Sequence, residues 1–162
     1  MNKKILALLI VFIAAISIAN IYAVETTNKD FDELFKMDVP SSENFTNPCV
    51  EENQYAPDLC ANVQFDGENF TIYYYNDSSM SSDFDAENIT DYLPQMLKSN
   101  SMYLDKPEID GNLYIWNNSI KGDSSSSNYL VGISSEDATQ MVCLEGNNLD
   151  DLKTYANTVK FE

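Results

Sequence analysis

Three cysteines are the side chains of this sequence best suited to chemistry. Cys49 and Cys60 lie close together in NPCVEENQYAPDLC, whereas Cys143 stands alone in TQMVCLEG. A pair at this spacing could form a disulfide bond, half of a redox site or part of a metal site. Three thiols are too few for a four-cysteine zinc site.

The residue types that the chain lacks exclude several classes of enzyme. It has no histidine, so it cannot build a Ser-His-Asp or Cys-His catalytic site, or a zinc site with histidine ligands. Neither GxGxxG nor GxxxxGK followed by Ser or Thr occurs. Carboxylate chemistry, as in glycoside hydrolysis, and a Ser-Lys pair remain. Because 26 acidic residues place some pair at a suitable separation by chance, we predict no catalytic residue and no cofactor.

Alternate acidic residues in DFDAEN indicate a different chemistry, calcium binding. Asp83, Asp85 and Glu87 have the spacing of ligands in the first half of a calcium loop. The glycine and the closing glutamate of a twelve-residue EF-hand loop are missing, which excludes that motif. A looser calcium site here or at 110–112 is a hypothesis, and a solvated helix start and a turn are the interpretation that we favour.

Five N-x-S/T triplets are acceptor patterns for N-glycosylation. Such short patterns also arise by chance, so a glycosylated surface would explain them without being required by them. Their asparagines are Asn44, Asn69, Asn76, Asn88 and Asn117.

Alternating aromatic residues in TIYYY and LYIW place four rings on one side of two predicted strands. On an exposed sheet face such rings would form a binding platform for a sugar or a peptide, because they bury area and keep a polar group. The interpretation that we favour is that helices cover both faces and the rings belong to the core. The four residues are Tyr73, Tyr75, Tyr114 and Trp116.

The first 23 residues predict the compartment in which the protein is found. MNKK is a short cationic head, an apolar run extends from Ile5 to Ala19, and Ala23 is a small residue before a cleavage point. This is the layout of an export signal. The alternative is an uncleaved membrane anchor, because the segment is close to the roughly 20 residues that a spanning helix needs. Both interpretations place the remainder outside the cytoplasm, secreted or at the cell surface, and we favour cleavage.

Export would expose the cysteines to oxidising conditions, which favour disulfide bonds over free thiols. We therefore predict a disulfide bond between Cys49 and Cys60, which would stabilise an irregular, proline-containing loop by roughly 3 kcal/mol. Cys143 lies in the apolar run 141–144, which is typical of a strand buried on both faces. There we predict a free thiol that packs as a small hydrophobic residue. An intermolecular disulfide, or exchange with Cys49 or Cys60, is the alternative.

The formal net charge of −17 limits the partners. Cleavage after Ala23 would remove Lys3 and Lys4 and no acidic residue, which makes the charge more negative still. Such a surface repels phosphate backbones and anionic lipid headgroups, so we predict no nucleic-acid partner. Membrane contact is expected only through the N-terminal segment, if it is uncleaved. The same charge also keeps a protein soluble without any partner.

Six segments have the pattern of strands. LFKMDVP alternates up to Pro40, and NVQFDGENFTIYYY predicts a hairpin around Asp66-Gly67. GNLYIWNN, NYLVGISS and TQMVCLEG predict three more strands.

Two segments have helical spacing. The first is predicted to be capped by Asp85 and kinked or bounded at Pro94, and the second to be capped by Asn147 or Asn148. Their apolar residues are Ile89, Leu93, Met96 and Leu97, and then Leu149, Leu152, Ala156 and Val159.

The element order βββαβββα predicts an α+β domain, with an about six-stranded, largely antiparallel sheet packed by two helices. We expect Cys143 to lie beneath the last helix. The predicted organisation is a signal peptide or anchor at 1–23, a flexible linker at 24–32 and a single α+β domain at 33–162.

The opening FKMDVPSSENF resembles the strand-proline-small-residue start of the PsbP-like α/β sandwich proteins. The segment from NYLVGISS to the closing helix and apolar pair of YANTVKF resembles their last strand pair and helix. The chain is also similar to uncharacterised small exported proteins of methanogenic archaea. The resemblance implies a PsbP-like sandwich and implies no site or activity, because fold alone does not specify function.

Two functional hypotheses follow. The first is an exported, non-catalytic, acidic envelope or extracellular protein that acts as a binding or structural module, with a cell-surface protein or polysaccharide as partner. The second is a small carboxylate-dependent hydrolase. Two buried acids facing each other in a pocket would favour the second hypothesis.

Overall fold

The computed structural model describes residues 24–47, 63–99, 106–117 and 128–162. These residues form nine strands and two α-helices, which confirms the predicted α+β class. The strands are β1 (Thr26–Phe31), β2 (Phe35–Pro40), β3 (Val63–Asp66), β4 (Phe70–Asn76), β5 (Glu108–Asp110), β6 (Leu113–Asn117), β7 (Tyr129–Ser134), β8 (Gln140–Gly146) and β9 (Lys160–Phe161). The helices are α1 (Ile89–Ser99) and α2 (Leu149–Ala156).

Six strands form an antiparallel sheet in the order β3-β4-β8-β7-β6-β5. One row of paired residues crosses its middle: Tyr73 lies opposite Cys143, Cys143 opposite Gly132, and Gly132 opposite Tyr114. A side chain at position 132 would overlap the methyl group of Met141 and lie 3.3 Å from the Trp116 ring. Glycine at this position therefore leaves room for the side chains of Met141, Cys143 and Trp116.

The segment LFKMDVP belongs to a second sheet, which corrects the prediction of one sheet. It forms β2, the central strand of a three-stranded antiparallel sheet with the order β1-β2-β9. The predicted alternation is present, because Phe35, Met37 and Val39 are fully buried while Lys36 and Asp38 are partly exposed. The sixth strand of the larger sheet is β5 and not the predicted LFKMDVP strand, and the three residues of β5 are all exposed.

The predicted linker at 24–32 instead contains strand β1. It pairs with β2 over its whole length, from Thr26 opposite Pro40 to Phe31 opposite Phe35. Only Phe31 is apolar in TTNKDF, so no period of two is visible in the sequence. The strand is held by backbone pairing with β2 and by the stacking of Phe31 on Phe35, whose ring centroids lie 4.9 Å apart.

The six-stranded sheet has a hydrophobic core on each face. On one face, β1, β2 and α2 pack against Ile72, Val142 and Leu144. On the other face, α1 packs against Met141, Cys143 and Trp116. This arrangement follows from strand alternation, since residues 141 and 143 point to one side and residues 142 and 144 to the other.

Cys143 is a fully buried free thiol, and its position corrects one expectation. It lies beneath α1, in the cluster with Ile89, Leu93 and Leu97, and not beneath the last helix. The apolar run made both faces of β8 look equivalent, and only the path of the chain decides which helix covers which face. Burial, together with the charge of Glu145, raises the pKa of the thiol, which keeps it protonated.

Both helices begin at asparagine caps. The Asn88 side chain accepts the Asp91 N–H at 3.0 Å, so Asn88 and not Asp85 caps α1. Asp85 lies too far upstream, and its carbonyl instead accepts a bond from the side chain of Gln95. Asn148 caps α2 by accepting from the Asp151 N–H, which confirms one of the two predicted residues.

Pro94 lies inside α1. It removes one backbone donor from the helix, and the chain nevertheless continues to Ser99. Packing of the buried side chains Ile89, Leu93 and Leu97 against the sheet offsets that loss.

Two tight turns use left-handed backbone at residues other than glycine. In the β1–β2 turn, Asp32 and Glu33 have φ of 56° and 59°, and the Leu34 N–H bonds to the Phe31 carbonyl at 3.0 Å. In the β7–β8 turn Ala138 has φ of 56°, and its carbonyl accepts the Ile89 N–H at 3.2 Å. The second turn therefore helps to position the start of α1.

The N-terminal segment 1–23 and the pair Cys49 and Cys60 lie outside the described residues, so their export and disulfide assignments stay predictions. No helix within the described ranges is long and apolar enough to cross a membrane.

Candidate binding cleft

The predicted aromatic face is packed by α1 and its neighbours. Trp116 is 2% exposed, and Tyr73, Tyr75 and Tyr114 are half-buried against the cluster beneath α1. Tyr73 and Tyr75 form one ring pair, with centroids 6.5 Å apart, and Tyr114 and Trp116 form another at 6.2 Å. Strands β8 and β7 lie between the pairs, so the four rings do not form one continuous platform.

The polar groups of this face are mostly used internally. The Tyr73 hydroxyl donates to Glu145 at 2.9 Å, and burial together with that carboxylate raises the tyrosine pKa. Burial likewise raises the pKa of Tyr75. The indole N–H of Trp116 is buried and has no hydrogen-bond partner among the described residues. These rings behave as core residues with polar edges.

The calcium candidates are not brought together. Asp83, Asp85 and Glu87 are all exposed, and the described residues contain no group of three acids or other ligands that could hold a metal ion. The second candidate, Asp110, forms an ion pair with Lys153 of α2. That pair ties the β5–β6 turn to the helix.

Three of the five sequon asparagines have structural roles. Asn88 caps α1, and the Asn76 side chain accepts the Ser78 N–H at the start of a 3₁₀ turn. The amide nitrogen of Asn69, the atom that glycosylation would modify, donates to Glu43 at 2.7 Å. Asn44, in the segment after β2, and Asn117, at the end of β6, are exposed.

A cleft of about 500 Å³ lies where the beginning of α2 meets the β3–β4 turn and the end of β2. We call it the α2 cleft. Its polar wall combines carboxylates and amides, and no basic side chain is among the described residues that line it. It is lined by Val24, Pro40, Ser42, Glu68, Asn69, Phe70, Asn147, Asn148, Asp151, Leu152 and Tyr155.

Glu43 holds one wall of the α2 cleft. It is the buried charged residue of the described chain, at 6% exposure. One carboxylate oxygen accepts the Asn69 N–H at 2.8 Å, and the other accepts the Asn69 side-chain amide at 2.7 Å. A side chain at Gly67 would lie only 2.5 Å from Glu43. The β3–β4 turn is therefore fixed to the segment after β2.

The start of α2 forms the opposite wall. The Asn148 amide donates to the Asp151 carboxylate at 2.7 Å, while its oxygen caps the helix. The Asn147 oxygen accepts the Asn128 N–H at 3.1 Å. These bonds orient the polar side chains at the cleft, and Asp150 and Asp151 lie at the positive end of the helix dipole.

Tyr155 lies in the wall between these two sides. Its ring stacks on Phe70, with centroids 5.4 Å apart, and the residue is 6% exposed. Its hydroxyl lies at the cleft and is not one of the buried polar atoms that lack a hydrogen-bond partner in the described chain. Burial raises the pKa of Tyr155, and the nearby carboxylates of Asp151 and Glu43 raise it further. The stacked ring therefore holds the hydroxyl in a fixed position at the cleft.

Only part of the α2 cleft was visible in the sequence. The sequence predicts the helix cap as Asn147 or Asn148, of which Asn148 is the cap, and Asp66-Gly67 marks the turn. Tyr155 follows Leu152 by three residues on the helix and could have been assigned to its buried face. No local pattern identifies Glu43, because its partner Asn69 is 26 residues away.

Comparisons with protein-family models, with curated proteins and with solved structures found no match for this chain. The resemblance to PsbP-like proteins and to exported archaeal proteins stays a prediction.

Proposed function

We propose that the protein is an exported, non-catalytic, acidic binding module of the cell envelope or extracellular space. Its partner is a cell-surface protein or polysaccharide, and the partner's contact group enters the α2 cleft. The observation that carries this proposal is a cleft of about 500 Å³ whose two walls are fixed by hydrogen bonds, with the packed ring of Tyr155 between them. Preformed clefts with a few oriented polar groups are typical ligand sites.

Size and order of the cleft support the proposal. A volume of about 500 Å³ lies within the range of roughly 300 to 1,000 Å³ that is common for small-ligand sites. Glu43 fixes Asn69, and Asn148 fixes Asp151, so little side-chain entropy is lost when a ligand binds. The cleft could hold a side chain or a sugar unit of a larger partner.

No specific observation favours the carboxylate-dependent hydrolase. Glu43 is the one buried acid of the described chain, and both of its oxygens are occupied by Asn69. The cleft acids Glu68 and Asp151 are exposed, so neither lies in the desolvated pocket that is typical of a general acid. Binding is therefore the function that we propose.

The test is a pull-down from the envelope of the native host combined with a glycan array. The bait is the full-length chain, exported by its expression host. The variant Tyr155→Phe keeps the ring and removes the hydroxyl, and Glu136→Gln alters an exposed acid in the distant β7–β8 turn. We expect wild type and Glu136→Gln to retain the same partner or glycan and Tyr155→Phe to retain less. Failure of the wild type to retain anything, or equal retention by Tyr155→Phe, would contradict binding through this cleft.

A further inference from the structure

We propose that Asn44 carries an N-linked sugar in the mature protein, and that the fold directs modification to Asn44 in preference to Asn69. The inference goes beyond binding at the α2 cleft. It rests only on the export part of the proposed function, because N-linked sugars are found on exported chains. It follows from two copies of one tetrapeptide that the fold places in different surroundings.

The tetrapeptide Glu-Asn-Phe-Thr occurs twice, at 43–46 and at 68–71. A sugar transferase that reads only the local sequence meets the same acceptor triplet at both places. A difference in modification between Asn44 and Asn69 therefore comes from the structure around them.

The first copy presents its acceptor to solvent. Asn44 and Thr46 are exposed, while Phe45 between them is half-buried. The Phe45 ring packs edge-on against Phe70, with centroids 5.3 Å apart. Thr46 pairs through its backbone with Asp66, so residues 44 and 46 lie on the outer side of an extended segment. Neither Asn44 nor Thr46 makes a side-chain hydrogen bond within the described chain, so the amide nitrogen and the hydroxyl of the triplet are both accessible.

The second copy has its acceptor in use. The Asn69 amide nitrogen donates to one Glu43 oxygen at 2.7 Å, and the Asn69 backbone N–H donates to the other at 2.8 Å. The Thr71 hydroxyl donates to Asp66 at 3.1 Å. A sugar on Asn69 would replace a hydrogen of the nitrogen that bonds to Glu43, a carboxylate with 6% exposure. The folded protein therefore disfavours modification there, because a buried carboxylate that loses its donor destabilises the fold.

Asn76 and Asn88 are also engaged. Each side-chain oxygen accepts a backbone N–H at the start of a helical segment, and it also accepts the hydroxyl of the residue two places on. Asn117 is exposed, but its triplet extends beyond the described residues. Of the four triplets that the structure describes in full, the one at 44–46 has both its amide and its hydroxyl free.

The reaction takes a lipid-linked sugar phosphate as the donor. The Asn44 side-chain nitrogen bonds to the anomeric carbon of the sugar, the bond between that carbon and the phosphate oxygen breaks, and the lipid phosphate leaves. One amide proton passes to a base of the transferase. The triplet pattern requires a hydroxyl two residues after the asparagine, so the exposure of Thr46 matters as much as that of Asn44.

The experiment is peptide mapping of the protein isolated from its native host, reduced and cut after glutamate. We expect the peptide with Asn44 to carry the mass of one or more sugar residues, and the peptides with the engaged asparagines to carry none. Cleavage after glutamate separates these acceptors into peptides 44–51 (Asn44), 69–87 (Asn69 and Asn76) and 88–108 (Asn88).

Three variants expressed in the native host test the assignment. Asn44→Gln removes the acceptor and Thr46→Ala removes the hydroxyl, so each should abolish the sugar on 44–51. Thr46→Ser keeps a hydroxyl and should retain the sugar. A sugar that persists on 44–51 in Thr46→Ala would contradict N-linked transfer at this triplet.

Failure of this inference is distinguishable from failure of export. If the protein is recovered from the envelope or the medium with an unmodified 44–51 peptide, the inference is wrong and export stands. Sugar on 69–87 or 88–108 would contradict selection by the fold. Recovery of the protein from the cytoplasm alone would contradict export as well.

Discussion

At the scale of single residues, acidic side chains in this protein shape turns as well as carry charge. Asp30 accepts the Glu33 N–H at 2.9 Å in the β1–β2 turn, and Asp137 organises the β7–β8 turn. Glu43 fixes the β3–β4 turn from a distant segment. Part of the high acidic content therefore has a structural use.

Glu33→Gly should stabilise the fold. Glu33 has φ of 59°, a conformation that costs an ordinary residue about 1–2 kcal/mol and costs glycine nothing. After the greater chain entropy of glycine is subtracted, we expect the free energy of unfolding to rise by roughly 0.5–1 kcal/mol. Urea denaturation of the variant and the wild type measures this difference in the free energy of unfolding.

The matched control is Glu136→Gly, which removes the same side chain from another exposed turn position without left-handed backbone. That variant should lose stability. Equal effects of the two substitutions would show that the β1–β2 turn is not strained.

Asp137 should titrate below the ordinary aspartate pKa. Its carboxylate accepts from the Ser135 hydroxyl at 2.7 Å and the Thr139 hydroxyl at 2.9 Å, and these bonds lower its pKa. Because the folded pKa is depressed, its contribution to stability is present above the unfolded pKa. It is lost as pH falls through the lower folded value.

The measurement is a carbon-13 NMR titration of the Asp137 carboxyl group. The double variant Ser135→Ala with Thr139→Val removes both hydroxyl donors and should move the midpoint upward. A midpoint at or above the ordinary value of 3.8 in the wild type would contradict the assignment.

At the scale of elements, the six-stranded sheet separates two hydrophobic cores. Cys143 lies in the core beneath α1, so the reactivity of its thiol is a probe of that core. The thiol is fully buried with a raised pKa, so it should resist alkylation in the folded state. Labelling of the Cys143 peptide, followed by mass spectrometry, therefore measures the opening of that core.

Leu93→Ala and Leu152→Ala are a matched pair for this measurement. Each removes a buried leucine, from α1 and α2 respectively, and should cost about 2–5 kcal/mol. Compared at equal global stability, set with urea, Leu93→Ala should label Cys143 faster because α1 covers the thiol. Faster labelling in Leu152→Ala would contradict the assignment of Cys143 to the core beneath α1.

The elements differ in how far the sequence predicts them. The sequence indicates both helices and six of the strands, because each has apolar periodicity or, in β7 and β8, a continuous apolar run. These strands are β2, β3, β4, β6, β7 and β8. Strands β1, β5 and β9 are polar, exposed or only two residues long, so they form because a partner strand provides backbone bonds. Sheet membership and the helix above Cys143 depend on the path of the chain, which no local pattern contains.

The α2 cleft was predictable only in pieces for a similar reason. Its residues come from the end of β2, the β3–β4 turn and the start of α2, and each piece has a local explanation as a turn or a cap. The aromatic residues of β4 and β6 had the stronger pattern, and the structure places them against the core beneath α1. Strong hydrophobic periodicity in a sequence identifies positions that are buried in a core. The residues of the α2 cleft lie in short polar segments, which have no such periodicity.

At the scale of the whole molecule, export is the claim that connects the charge, the cysteines and the proposed partners. If the protein is exported, Cys49 and Cys60 should be oxidised and Cys143 free. Thiol counting on the unreduced, unfolded protein should find one free cysteine. Three free cysteines would contradict both the disulfide bond and the assigned compartment.

The central claim, that a cell-surface partner binds in the α2 cleft, is tested most directly by hydrogen exchange. The protein, expressed from its full-length sequence in a host with an export pathway, would be compared alone and with the partner retained from the native envelope. We predict slower exchange in peptides that cover 40–43, 67–70 and 147–155, with no change in α1. Protection confined to α1, or no protection at all, would contradict the claim.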